Sequence, residues 1–254
     1  MSEGLTLLPP ESDRYRAELV FVHGLWVDSR IWRGVAAGFA HRGWNCLLVD
    51  RDTSSTQSEP FSWARRVAQV VREREVPPIV IGHDAGALIA LDLASRAEVR
   101  AAIAIAPLLD GTAPVQSWLG RRALQLRGDA AKVAPPDLSH VYFANLSDQR
   151  RSELAGSLGS EPAAVLRETD RLATPARPAV PAFLVAGQVD PVSSAVLAEI
   201  CARGIEADFE RLPGGHWPML EPRADDWITQ VHRWLIKTVG HDLLVLRGDE
   251  DLVE

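Results

Sequence analysis

The stretch Ile79-Val80-Ile81-Gly82-His83-Asp84-Ala85-Gly86-Ala87 decides how the chain folds. Its first three residues form a short apolar run that reads as a strand buried on both faces. Ala85–Ser95 reads as a helix, so Gly82–Gly86 is a sharp strand-to-helix turn. The pattern Gly-x-Asp-x-Gly holds a central side chain on a strained bend, and its small neighbours keep clear. The central residue stands at a helix N-terminus, where backbone N–H groups and the dipole favour negative charge. A carboxylate at Asp84 suits that site. Alone, such an aspartate reads as a helix N-cap; between two glycines after a buried strand it reads as catalytic.

Strands and helices alternate outward from this turn. Upstream, Glu18–Val22 and Trp44–Val49 read as strands, with helices over Ile31–His41 and Phe61–Glu75. Downstream, Arg100–Ala106, Pro181–Ala186 and Glu206–Arg211 read as strands, with helices over Ser193–Arg203 and Pro222–Val239. The repetition implies right-handed crossovers and an α/β fold with a mainly parallel sheet of about six strands, covered by helices on both faces. Leu5–Leu8 is the one candidate for an extra edge strand. Residues 110–179 break the alternation. They show no convincing strand and hold helical stretches at Trp118–Arg127, Val141–Leu158 and Pro162–Arg171. An insertion of about 70 residues is too long for a structureless connection. It is expected to form a helical cap over a core made of residues 1–109 and 180–254.

Two more motifs follow in order. Phe183–Asp190 (FLVAGQVD) is a strand whose loop carries Asp190, and Leu212–Leu220 (LPGGHWPML) carries His216. Nucleophile, acid and histidine in that order match a known triad arrangement. Near the start, Val22-His23-Gly24-Leu25-Trp26 ends a strand. The backbone N–H of Leu25 there is placed to pair with that of Ala85 as an oxyanion hole. On these motifs the chain resembles the α/β-hydrolase fold superfamily, from His23-Gly24 to the last helix. Gly-His-Asp at the turn is similar to the aspartate-nucleophile branch of epoxide hydrolases and haloalkane dehalogenases. The flanking His-Gly-Leu-Trp and Tyr142-Phe143-Ala144-Asn145 resemble small serine esterases.

An aspartate needs no deprotonation before it attacks, and its natural target is an sp³ carbon bearing a leaving group. Attack gives an alkyl ester of Asp84. His216, oriented by Asp190, then activates water to hydrolyse it. Asp110 is the alternative acid. The resemblance implies two cap tyrosines for an epoxide or an indole N–H for a halide. Tyr142 is the candidate tyrosine and His140 a substitute for the second. Ala85 stands where dehalogenases often carry tryptophan, so Trp26 or Trp118 would supply the indole. Trp26 and Trp217 flank the motifs as substrate contacts. Two other readings stay open. Asp84 and His216 would work as an acid–base pair in a cyclase or lyase of a biosynthetic pathway, or the site would be a degenerate ligand-binding one.

Composition narrows the partners. The chain has 254 residues, 46% of them hydrophobic and 24% charged, which is enough for a substantial core and unlike a disordered chain. A net charge of -7 argues against nucleic acid, because phosphates need a positive field. No apolar run approaches the roughly 20 residues of a membrane span, and Met1–Glu11 does not read as a secretory signal. Cys46 and Cys201 have neither disulfide nor zinc spacing and are expected to be buried thiols. No metal cluster or phosphate loop is visible. The expectation is a cytoplasmic, cofactor-independent monomer or homodimer acting on a small to medium apolar molecule. His23 is expected to brace the oxyanion loop, His83 to pack beneath the site, and His232 and His241 to lie at the surface. Arg150-Arg151 is a candidate attractor for an anionic substrate. Leu243, Leu244 and Val245 are expected to pack locally.

Overall fold

Seven strands form one sheet in the order β1-β3-β2-β4-β5-β8-β9, with only the β1–β3 pairing antiparallel. The strands are β1 Leu5–Leu8, β2 Leu19–Val22, β3 Cys46–Val49, β4 Ile79–His83, β5 Ala101–Ile105, β8 Ala182–Gly187 and β9 Asp208–Leu212. The structure is a computed structural model. It describes residues 4–51, 62–110, 132–133, 143, 145–155 and 158–244. Leu5–Leu8 does form the extra edge strand, with Leu5 opposite Val49 and Leu8 opposite Cys46.

The order of the strands fixes where the helices lie. From β2 the chain crosses one way to β3 through α1, Arg33–His41; from β4 it crosses the other way to β5 through α3, Ala85–Ser95. Crossovers of one hand running in opposite directions put these two helices on opposite faces. The C-terminal ends of β2 and β4 meet where the direction reverses, which is where open α/β sheets form their clefts. Those ends carry Gly24-Leu25 and Asp84.

Each strand pattern has a physical outcome. β2, β3, β4, β5 and β8 are wholly buried, as uninterrupted aliphatic runs require. Helix α3 is apolar nearly all round and correspondingly buried. It packs against α2, Trp63–Arg72, and α5, Ala163–Leu172. Helix α6, Ala195–Gly204, packs on β8 and β9. On the other face α1 packs against α7, Ala224–Leu235. There Trp227 lies against Trp32 and Phe39, at ring separations of 6.4 and 6.1 Å. Trp234, seven residues on, stacks on Phe183, and its indole N–H donates to Asp208 at 2.7 Å.

Several expectations need correction. The segment between β5 and β8 does contain strands: Lys132–Val133 (β6) pairs antiparallel with Glu161–Pro162 (β7). Two-residue strands are too short to show a period of two. The helix expected over Val141–Leu158 is described as α4, Asp148–Ala155, after a turn at residues 145–147. The stretch Trp118–Arg127 lies outside the described residues. The helices expected over Phe61–Glu75 and Pro222–Val239 are shorter, and the second runs into a π turn at Ile236–Gly240. His232 is not a surface residue. Half-buried, it accepts the Trp44 indole N–H at 3.2 Å, beside a ring that stacks on Tyr15 at 3.8 Å. Cys46 is buried, but Cys201 only partly. Leu243 packs into the core, and Leu244 bridges to Tyr15; Val245 lies outside the described residues.

Candidate active site

The bend at Asp84 has φ 59° and ψ −118°, a conformation a non-glycine residue adopts only under strain. The surroundings enforce it. Asp84 N–H donates to Ile105 O on β5 at 3.0 Å, and its carbonyl accepts from Ala87 at 3.2 Å. A Cβ on Gly82 would stand 2.0 Å from Gly86 O, and one on Gly24 would stand 2.5 Å from Asp84 Cβ. Gly24 is therefore what lets the β2 loop come against the aspartate.

The two carboxylate oxygens of Asp84 have different partners. Oδ1 accepts from Leu25 N–H at 3.1 Å and from Ala85 N–H. Oδ2 faces His216 Nε2 at 3.2 Å. On the other side of the ring, Nδ1 meets Asp190 Oδ2 at 3.0 Å. Asp190 Oδ1 accepts from Val192 N–H at 2.7 Å and Ser193 N–H at 2.9 Å. The same aspartate thus starts a turn and holds a histidine, and its own turn fixes its orientation. Asp110, the other candidate acid, is exposed and gives its backbone N–H to Ala173 O.

His216 has a carboxylate at each ring nitrogen. Two ionised carboxylates only accept, and facing them each nitrogen would carry hydrogen. Burial opposes charge on His216, but Asp190 and Asp84 outweigh it and the ring is pushed up to about 10. His83 goes the other way. Burial, then the neighbouring His216, pulls it down to about 4. Its Nε2 donates to His216 O at 2.8 Å and so fixes the histidine loop through the backbone. The same loop is braced by Glu221, which accepts from Gly215 N–H at 2.8 Å.

The opposite shifts predict a stability optimum. His216 contributes most below its unfolded value of 6.5 and loses that contribution as pH rises through about 10. His83 is neutral when folded, so stability is also lost as pH falls from 6.5 through about 4. Urea denaturation is expected to give its highest midpoint near pH 6–7 and lower ones at pH 4.5 and 9.5. A midpoint that keeps rising to pH 9.5 would exclude the imidazolium.

Of the expected substrate contacts, Trp118, His140 and Tyr142 lie outside the described residues. Trp217 is buried between His83 and Phe143, with ring separations of 4.7 and 5.5 Å, and so backs the histidine. Trp26 is buried at φ 58° and lines a cavity of about 410 Å³ with His23, Asp50, Arg51, Ser160 and Glu161. Asp84 and His216 are themselves fully buried, and the described cavities are lined by other residues. His23 does brace the β2 loop, its Nδ1 donating to Gly24 O at 2.9 Å. Arg150 and Arg151 are paired with Glu153 and Asp148 on their own helix. No group of histidine, cysteine and acidic residues among the described ones forms a metal site.

Sequence reasoning missed a buried pair beside the site. Glu161, on β7, accepts the Trp26 N–H and pairs with Arg51. Arg51 also donates to Gly24 O and Val27 O, both at 3.1 Å, and lies over the Trp63 ring. Burial raises Glu161, and Arg51 counters it. Only the distance of 110 residues between the two hid them, since a lone Arg and a lone Glu carry no local pattern.

Comparison with known proteins supplies a frame. The family model described as "Alpha/beta hydrolase family" matches residues 19–227. No curated protein matches the chain. Among solved structures, a monoacylglycerol lipase from Paleococcus ferrophilus superposes with TM-score 0.76 at 13% identity, over 94% of this chain and all of that one. A soluble variant of monoglyceride lipase from Saccharomyces cerevisiae gives 0.75 at 14%, over 94% and 93%. MenH from S. aureus gives 0.72 at 16%, over 93% and 99%. At these identities the likeness is one of fold.

Proposed function

The chain belongs to the alpha/beta hydrolase family, and from that premise we propose that Asp84 is a nucleophile that forms an alkyl ester, hydrolysed by water that His216 activates. The observation that carries this reading is the division of labour between the two oxygens of Asp84. Oδ1 already occupies the pair of N–H donors from Leu25 and Ala85, and Oδ2 stands at His216. In a serine enzyme those donors wait for the substrate's oxygen. Here the nucleophile's own oxygen fills them, so the substrate need bring no carbonyl.

The chemistry balances as follows. Oδ2 attacks an sp³ carbon, and the bond to the leaving group breaks with its electron pair going to that group. Asp84 becomes a neutral ester, and its charge is lost beside His216. The imidazolium is then less favoured, and its Nε2 proton passes to the leaving group or to solvent. Neutral His216 takes a proton from water, and the resulting hydroxide attacks Cγ of Asp84. Negative charge develops on Oδ1, already aligned with its two donors. Collapse expels the alcohol, which takes a proton from His216, and the new carboxyl of Asp84 gives its proton to the ring to restore the starting pair. A halide yields an alcohol and hydrogen halide; an epoxide yields a diol. Asp190 holds the ring throughout. Because Asp84 and His216 are fully buried, this reading requires the residues over them to part when a substrate enters.

One observation favours a second reading. A doubly protonated His216 beside a carboxylate is also an acid–base pair, able to remove a proton at one atom and supply it at another without a covalent bond. The experiment separates the two. His216→Gln is incubated with primary alkyl bromides, whose departure needs no proton, and its intact mass followed. A stoichiometric adduct mapped to Asp84 is the expected result. Turnover by the wild type to an eliminated or cyclised product, with no adduct in the variant, would favour the acid–base pair. Ligand-induced rise of the melting temperature with neither chemistry would favour a binding protein.

A further inference from the structure

We propose that Glu161 and Arg51 are positioning residues that hold the oxyanion donor of Leu25 against Asp84. The inference rests on the nucleophilic reading of Asp84 for its kinetic consequence, but the geometry stands apart from it. The turn Gly24–Val27 is short and carries a left-handed non-glycine residue, Trp26, at φ 58°. Such a turn does not hold itself. Two of its amides and three of its carbonyls are tied to residues outside it, Trp26 O accepting from Gly159 N–H at 2.9 Å. Leu25 N–H goes to Asp84 Oδ1, Trp26 N–H to Glu161, and the carbonyls of Gly24 and Val27 accept from Arg51. Gly24 O also accepts from His23 Nδ1. Turning the Leu25 peptide away from the aspartate would displace the Gly24 carbonyl from Arg51 and swing the next amide off Glu161. The pair therefore fixes the direction of the one donor that does not come from the Asp84 bend itself.

Glu161 and Arg51 come from different parts of the chain. Arg51 follows β3 in the sheet, and Glu161 lies on β7, in the segment between β5 and β8. Both side chains are almost wholly buried, at 3% and 6% exposure. The β6–β7 pairing places Val133 opposite Glu161. The inserted segment thus reaches under the oxyanion turn and sets one of its two donors. His23, Asp50 and Asp84 are the other ionisable groups near the pair: Asp50 accepts from Ser29 N–H and Oγ, and its Oδ1 lies 3.8 Å from His23 Nε2.

The two half-reactions give the positioning role a signature that mere loss of stability lacks. Forming the ester disperses charge from Oδ1, so weakening its donors does not slow that step. Hydrolysing it concentrates charge on Oδ1, so weakened donors slow that step, by roughly 10²–10³-fold for one lost donor. The test takes Glu161→Ala, Glu161→Gln and wild type through single turnovers with the alkyl bromide that labels Asp84 in His216→Gln, timing ester formation and breakdown by quenched mass spectrometry. Glu161→Ala is expected to form the ester at the wild-type rate and to break it down roughly 10²-fold more slowly. Glu161→Gln, which keeps an acceptor for Trp26 N–H, is expected to recover much of the breakdown rate. Equal slowing of both steps, or neither, would overturn the proposal. A second measurement does not depend on the Asp84 chemistry: hydrogen exchange of the Leu25 amide by ¹⁵N NMR. Exchange faster in Glu161→Ala, with the amides of β4 and β5 unchanged, supports the positioning role. Unchanged exchange at Leu25 refutes it, and exchange faster throughout the sheet refutes it too. If no bromide labels Asp84 in any variant, the nucleophilic reading has failed, and the Leu25 amide alone decides the positioning.

Discussion

Asp84→Asn is expected to stay folded, to lose at least about a thousandfold of the wild-type turnover on any substrate found, and to release the proton of His216. The asparagine carbonyl can take the place of Oδ1 and accept from Leu25 and Ala85 N–H. Its amide then faces His216 Nε2 and donates. That arrangement suits a neutral ring whose Nδ1–H still goes to Asp190, so the bonds at Oδ1 and at both ring nitrogens are kept. What it lacks is the attacking oxygen and one of the two charges that hold the imidazolium. The two carboxylates push His216 up to about 10; with one of them gone its resonances are expected to titrate well below that, and the loss of stability above pH 7 is expected to shrink with them. Both effects share one cause, so they should appear together. A variant with full activity, or one whose His216 titration is unmoved, would remove the basis of the covalent reading. Asp190→Asn provides the contrast: its carbonyl can still accept from Val192 and Ser193 N–H, but its amide then faces His216 Nδ1 and moves the ring hydrogen to Nε2, the wrong side for a base.

The parts of this site that were legible in the sequence are those a local pattern specifies. Gly82 and Gly86 announce a bend that only small residues permit, and a buried strand before it fixes which way the central side chain points. Gly214-Gly215 before His216 and Pro191 after Asp190 mark loops at the ends of strands in the same manner. Strands buried on both faces show as aliphatic runs, so the central strands were readable to within one or two residues at each end, and Leu5–Leu8 as no more than a candidate edge strand. What escaped was set by distance along the chain. Val133 meets Glu161, and Glu161 meets Arg51, through contacts that no periodicity encodes. His232 escaped for a similar reason: its ring on α7 meets Trp44, a residue 188 positions earlier that leads into β3. The charge on His216 belongs to this second class. Each of its carboxylates was readable alone, but a doubly protonated ring follows only from seeing both at once.

The second large effect concerns stability. Arg51→Met is expected to cost about 3–5 kcal/mol, because it leaves the Glu161 carboxylate buried without its cation and takes a donor from the Val27 carbonyl, while Gly24 O keeps only His23 Nδ1. For a domain of this size that corresponds to a fall in melting temperature of roughly 6–20 °C. Glu161→Leu leaves Arg51 uncompensated in the same way and is expected to cost a similar amount. The double variant Arg51→Met/Glu161→Leu is expected to be more stable than either single one. Two charges that had to be stripped of water are gone, and apolar side chains of similar length fill their space. It should not regain wild-type stability, since Val27 O and Trp26 N–H have lost the partners that Arg51 and Glu161 supplied, and each such group costs about 1–3 kcal/mol. Denaturant titration of the four proteins forms a double-mutant cycle that measures the coupling. Losses that simply add would mean that the two side chains act independently, and the account of the oxyanion turn would lose its anchor. If coupling is found, the double variant becomes the informative protein. It would be better folded than either single variant yet hold the Leu25 donor no better than Glu161→Ala does, which separates what the pair does for folding from what it does for the direction of one amide.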